Sequence, residues 1–224
     1  AANDAVCAHA ARLRDEGVFR SASAAFLIGD TRPDEIVEDI DAENVVIVPF
    51  MMSDGYLASE ISSRIESALA AKGAASRIAV TDPVGTHAGI TDIAARLGAQ
   101  ALSGAGLEKD AATLVLVAHG SSGRPESKAR AEAHAKTLTA RGDFRNVRLA
   151  TLEEEPFLMD VLAEIDGPAA VVGLFAAPGG HAVDDVRQAI ADRAAAEIVD
   201  AGPVGTDPAM TAIARMRALG ALNI

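Results

Sequence analysis

A single cysteine, Cys7, stands in the whole sequence, which excludes an internal disulfide and any cluster held only by cysteines of one chain, an iron–sulfur cluster included. Tryptophan is absent, Tyr56 is the one tyrosine, and aromatics make up 3% of the residues. The apolar half of the composition is therefore mostly Ala, Val, Leu and Ile, as suits helices packed on a parallel sheet. No apolar run approaches the roughly 18 residues that a membrane span needs. The opening AANDAVCAHAARLRDEG reads as an amphipathic helix rather than a signal peptide. Together these predict a cytoplasmic protein without a membrane partner. Basic residues are scarce too: formal net charge is −12, which argues against nucleic acid, whose phosphates demand basic patches. A cationic substrate is compatible with that charge, whereas an anionic organic one needs a local cation to compensate.

The stretch that organises the chain is LVLVAHGSSG, residues 114–123. A near-continuous apolar run of this kind reads as a buried parallel strand. It stops at Ala118, and His119 follows at once, with Gly120, Ser121, Ser122 and Gly123 behind it. Ligand sites in open α/β sheets lie outside the carboxyl ends of such strands. Small residues there let backbone N–H groups approach a ligand, and the helix predicted after Pro125 favours anions at its start.

Taken in order, the pattern predicts a helix over 4–15, a strand over 22–28, a short helix after Pro33, a strand over 44–50 and a helix over 59–70. A strand over 76–80, a helix over 90–97 and an irregular connector over 98–111 complete the first half. The second half repeats this series. CAHAARLRDEGVF (7–19) lies over EAHAKTLTARGDF (132–144), and VVIVPFMMSDGY (45–56) over AVVGLFAAPGGH (170–181), both at an offset of 125. PVGTHAGITDIA (83–94) lies over PVGTDPAMTAIA (203–214) at an offset of 120. Such a register indicates duplication. The expected fold is α/β: two flavodoxin-like parallel-sheet halves, residues 1–105 and 106–224. The counterpart of residues 113–123 would fall before Ala1, so the first half is expected to lack its opening strand, either trimmed or left upstream of this sequence.

Three residues of the second half stand at predicted strand ends with chemistry to offer: His119, Glu153 in ATLEEEP, and His181 in LFAAPGGH. A neutral imidazole accepts a proton or binds a divalent metal, and two imidazoles with a carboxylate suit Fe, Co, Ni or Zn. Their counterparts in the first half are Ile28 for Glu153 and Tyr56 for His181, which keep bulk and discard ligands. The first half is therefore expected to be scaffold. His9 and His134, equivalent positions on equivalent helices, point to structural roles. His87, opposite Asp207, is open to either a structural or a substrate-contact role. Asp184 and Asp185 fit a helix start. Arg124, Lys128 and Arg130 read as a solvated face and also as the nearest cations to the HGS loop.

HGS after a strand, L-E before a Pro-initiated helix and F-x-x-x-GGH-x-x-D-D resemble the CbiX/SirB family, class II chelatases that insert Co(II) or Fe(II) into sirohydrochlorin for cobalamin or siroheme synthesis. The likeness covers essentially the whole chain and matches the long, two-half form. It implies that His119 and His181 bind metal and accept protons, with Glu153 as their acidic partner. The metal is then a substrate, Co(II) or Fe(II), with Ni(II) also accepted by such donors, and no organic cofactor is expected. Substrate carboxylates are expected at the backbone of Ser121 and Ser122 and at Arg124. Two other readings use the same residues. One is a non-catalytic metal or tetrapyrrole carrier. The other is a hydrolase with Ser121 as nucleophile, against which stands the absence of any G-x-S-x-G elbow.

Overall fold

The computed structural model describes residues 2–26, 31–73, 76–121, 123, 125–179, 181–193 and 197–223, and for residues 2, 34, 56–58 and 181 it describes the backbone alone. The first half runs α1 (Ala2–Asp15), α2 (Pro33–Ile36), β1 (Asn44–Ile47), α3 (Tyr56–Ala71), β2 (Arg77–Val80) and α4 (Gly89–Gly104). The second runs β3 (Thr113–Ala118), α5 (Glu126–Arg141), β4 (Asn146–Thr151), α6 (Leu158–Ala163), β5 (Ala169–Gly173), α7 (His181–Ala191), β6 (Ile198–Pro203) and α8 (Ala209–Leu222).

Both sheets are parallel. The second half holds four strands in the order β4-β3-β5-β6, and the first holds the pair β1-β2. With β3 as the first strand of its half, the larger sheet has the flavodoxin-like order 2-1-3-4. Side chains alternate across β3 as a strand requires. Leu114, Leu116 and Ala118 join a core with α4 and α5, whereas Val115 and Val117 face α6 and α7. Every residue of β3 and of β5 is buried, so the near-continuous apolar runs mark strands covered on both faces. The first half buries a smaller core of its own, formed by Val37, Ile47, Ile65 and Leu69.

The two halves interlock through their last helices. Helix α4 closes the first half in sequence, yet it packs on β5 and β6 of the second, burying Ile90, Ile93, Ala94 and Leu102 against Leu114, Ala170 and Val172. Helix α8 in turn packs on β1 and β2. The duplication is visible element by element: β1 pairs β2 from Asn44↔Arg77 as β5 pairs β6 from Ala169↔Ile198. Helices α3 and α7 begin at the aligned residues Tyr56 and His181.

Two sequence expectations need correction. The predicted strand over 22–28 is not formed at residues 22–26; residues 27 and 28 lie outside the described residues. In the second half the aligned β4 is hydrogen-bonded to β3, whereas among the described residues no strand pairs with residues 22–26. A strand without a neighbour has nothing to pair its backbone groups. The connector predicted over 98–111 is instead helical up to Gly104. The expected connector began at Gly98, where a Cβ would come within 2.5 Å of Leu114 Cδ1. It is a site of close helix–sheet packing rather than a helix stop.

Candidate active site

His119 is the first residue past β3, and the ladder with β4 continues beyond the strand ends. The His119 carbonyl accepts the N–H groups of Leu152 at 3.1 Å and Glu153 at 3.0 Å. This backbone pairing brings the two side chains together, with His119 Nδ1 3.5 Å from Glu153 Oε1. Each side chain is 57% exposed, so the pair is open to a ligand and too far apart for a tight hydrogen bond. On the other side of β3, Leu174 N–H donates to the Val117 carbonyl at 2.7 Å, and the chain leaving β5 reaches α7, whose first residue is His181. The His181 ring is outside the described atoms. Among the described residues no group of three His, Cys, Asp or Glu side chains is arranged to hold a metal ion.

The loop behind His119 is held by contacts within the chain. Ser121 N–H donates to the Glu154 carboxylate at 2.9 Å, and the Thr151 hydroxyl donates to the Glu154 carbonyl. Gly120 has φ of +75°, and a Cβ there would meet Glu154 Cγ and Thr151 Cβ at 3.0 Å. The glycine admits a close neighbour as predicted, but that neighbour is Glu154 of the same chain. Ser122 and Arg124 lie outside the described residues. Lys128 donates to the Glu155 carbonyl at 2.6 Å, and Arg130 reaches Asp54 of the first half at 3.1 Å. A small cleft between the halves, beside the end of β3, is lined by Met52, Ile90, Ala118, Ser127, Arg130 and Leu174 among others.

His9 and His134 are buried in hydrogen bonds that join the two halves. His9 Nε2 lies 2.8 Å from the Gly205 carbonyl and its Nδ1 2.8 Å from Thr211 Oγ1. His134 repeats this from the other half, with Nε2 3.0 Å from the Gly85 carbonyl and Nδ1 3.0 Å from Thr91 Oγ1. A carbonyl only accepts, so each ring carries its proton on Nε2 and takes the threonine hydroxyl's proton at Nδ1. Burial lowers the pKa of both histidines, which suits the neutral form. His87 Nδ1 accepts Gly89 N–H at 3.0 Å, and Asp207 Oδ1 accepts Ala209 N–H at 2.9 Å. Both therefore tie down the starts of the exchanged helices; burial, then Arg217, lowers the His87 pKa. Asp207 also holds Arg96 at 2.7 Å. Sequence reasoning missed Glu154, Thr91 and Thr211. The threonines had a signal, since T occupies the same place in GITDIA and AMTAIA; Glu154 had none beyond an acidic run.

A two-half α/β protein with parallel sheets, exchanged terminal helices and a His–Glu pair at strand ends belongs to the chelatase-like class. A model of the CbiX family matches residues 1–101 and 113–221. The chain belongs to the CbiX family. It is 24% identical over 202 residues to a probable sirohydrochlorin cobaltochelatase of Halobacterium salinarum, across 80% of this chain and 68% of that one. Among solved structures, CbiX of denitrifying bacteria, described as the terminal enzyme of siroheme biosynthesis, superposes with a TM-score of 0.79 at 25% identity, over 97% of this chain and 91% of that one. SirB from Bacillus subtilis with Fe3+ gives 0.79 at 15% identity, over 98% and 90%. A multi-domain Deinococcus radiodurans protein with structural similarity to chelatases gives 0.81 at 23% identity, over 96% of this chain. The present chain spans about 50% of that protein's length.

Proposed function

We propose that the protein is a sirohydrochlorin chelatase, a lyase that inserts Co(II) or Fe(II) into the tetrapyrrole, with its active site in residues 106–224 and with residues 1–105 as scaffold. The observation that carries this reading is the His119–Glu153 pair at the carboxyl ends of adjacent parallel strands in a CbiX-family chain. The printed names of the relatives, a cobaltochelatase and a siroheme enzyme, support the substrate class. A cytoplasmic setting belongs to the same proposal; among the described residues no helix is long and apolar enough to cross a membrane.

Free sirohydrochlorin carries two pyrrole protons inside its ring, so insertion requires both a base and delivery of the metal to one face. His119 supplies the base: its Nδ1 faces Glu153, which leaves Nε2 for the metal or the pyrrole proton. Glu153 holds the imidazole in orientation and passes charge compensation to it, as carboxylate partners of such histidines do. His181, opening α7 next to the end of β5, is assigned as the second imidazole. Ser122 and Arg124 are assigned to substrate carboxylates. A His119–His181–Glu153 donor set accepts Co(II), Fe(II) and Ni(II) alike.

The deciding experiment is an absorbance assay of purified protein with sirohydrochlorin and each metal in turn. Multiple turnovers with Co(II) or Fe(II) are expected. Stoichiometric binding without accelerated insertion would instead identify a carrier.

A further inference from the structure

The three acidic residues 153–155 do not behave alike. Glu153 faces His119, whereas Glu154 turns back and accepts the Ser121 N–H at 2.9 Å. Three further contacts converge on the same spot. Thr151 donates its hydroxyl proton to the Glu154 carbonyl, Gly120 leaves room for the Glu154 side chain, and the His119 carbonyl is held by Leu152 and Glu153. His119 is thus clamped on both sides: by the β4 ladder at its own carbonyl, and by Glu154 two residues further on. A backbone N–H at a strand end is the group an anionic substituent would seek, and here a carboxylate of the same chain already fills it.

Resting on the function proposed above, we infer that Glu154 is a positioning residue for His119, whose carboxylate holds the turn that aims the imidazole at Glu153 and keeps the Ser121 N–H out of substrate binding. The role needs an acceptor oxygen at this place and not a negative charge, because the bond it makes is to a neutral backbone N–H. Glutamine keeps such an oxygen at the same reach; alanine removes it.

The test compares Glu154→Gln with Glu154→Ala in the full chain by three readouts. In Glu154→Ala, amide exchange at Ser121 should quicken at least about tenfold, Co(II) affinity should fall about tenfold, as for other partners that orient metal-site groups, and kcat should fall with KM for sirohydrochlorin within about threefold. In Glu154→Gln all three should stay within about threefold of wild type. Unchanged Ser121 exchange in Glu154→Ala overturns the latch. A Gln variant as impaired as the Ala variant overturns it too, since charge or direct ligation would then be the cause. So does a loss confined to KM, which would make Glu154 a substrate contact. The exchange readout needs neither metal nor tetrapyrrole. A wild-type protein that inserts no metal would therefore overturn the functional reading and the positioning role in that reaction, while the Ser121 exchange rates still report whether Glu154 orders the turn.

Discussion

The two halves follow one pattern but differ in what they place at their strand ends. In the second, β3 and β5 are buried throughout, His119 follows β3, and Glu153 follows the neighbouring β4. In the first, β1 and β2 form a two-stranded sheet over a core of Val37, Ile47, Ile65 and Leu69, and Tyr56 stands where the second half has His181. What the halves keep in common is the joint between them. Each sends a helix to the other's sheet, and each supplies a buried histidine to a threonine and a glycine carbonyl of the other. The joint-forming positions were retained in both halves because a reciprocal contact needs both copies.

The largest expected difference between the halves is catalytic. His119→Ala should lower insertion by about 10²–10⁴-fold, the usual worth of a positioned proton acceptor, with the fold intact by circular dichroism. Tyr56→Phe should leave turnover unchanged in the same steady-state assay with Co(II). Wild-type turnover in His119→Ala would end the assignment, and a matching loss in Tyr56→Phe would erase the asymmetry.

Next to the joint, each half makes a matching close backbone approach within itself, expected to be symmetric and costly to disturb. A Cβ at Gly205 would lie 2.0 Å from the Ala176 carbonyl oxygen, and one at Gly85 2.2 Å from Met52 Cα. Backbone cannot yield as a flexible side chain does, so each Gly→Ala change should cost about 3 kcal/mol in denaturant unfolding. A neutral result at either position would show that its half makes the looser contact.

Somewhat smaller effects should follow from the paired histidines. His9→Ala and His134→Ala each leave a buried carbonyl and a threonine hydroxyl without a partner, a loss of about 1–3 kcal/mol. Similar values would sharpen the picture of a reciprocal joint. His9 also stacks on Phe50 with ring centroids 5.1 Å apart, so an excess loss at His9 would measure that added contact.

The least effect is the pH dependence of the same groups. Burial depresses the folded-state pKa of His9 and His134 below 6.5, so below that pH the unfolded chain binds more protons than the folded one. Their contribution is complete above about pH 6.5 and drains away as pH falls toward the depressed folded values. Unfolding free energies measured from pH 8 to 5 should decline at the acid end, and less steeply in a His9→Ala, His134→Ala double variant. An unchanged slope there would assign the acid sensitivity to other groups.

By itself the sequence determined the α/β class, the duplication and the placement of His119 and Glu153. These depend on local order: a buried parallel strand must be an apolar run, and the residue after it must emerge at the strand's end. Its reading of a strand failed at residues 22–26 because pairing depends on a neighbour that apolar content does not encode. The connector expected from residue 98 proved helical to Gly104, since glycine suits a loop or a close packing contact and only Leu114 lying against Gly98 decides which. Tertiary structure alone decided which half's sheet α4 and α8 cover, since an amphipathic helix records that it has a buried face but not what buries it. It also decided that the second glutamate of an acidic run turns inward to Ser121 while the first faces His119, for that choice follows from strand ends meeting across a sheet, more than thirty residues apart along the chain.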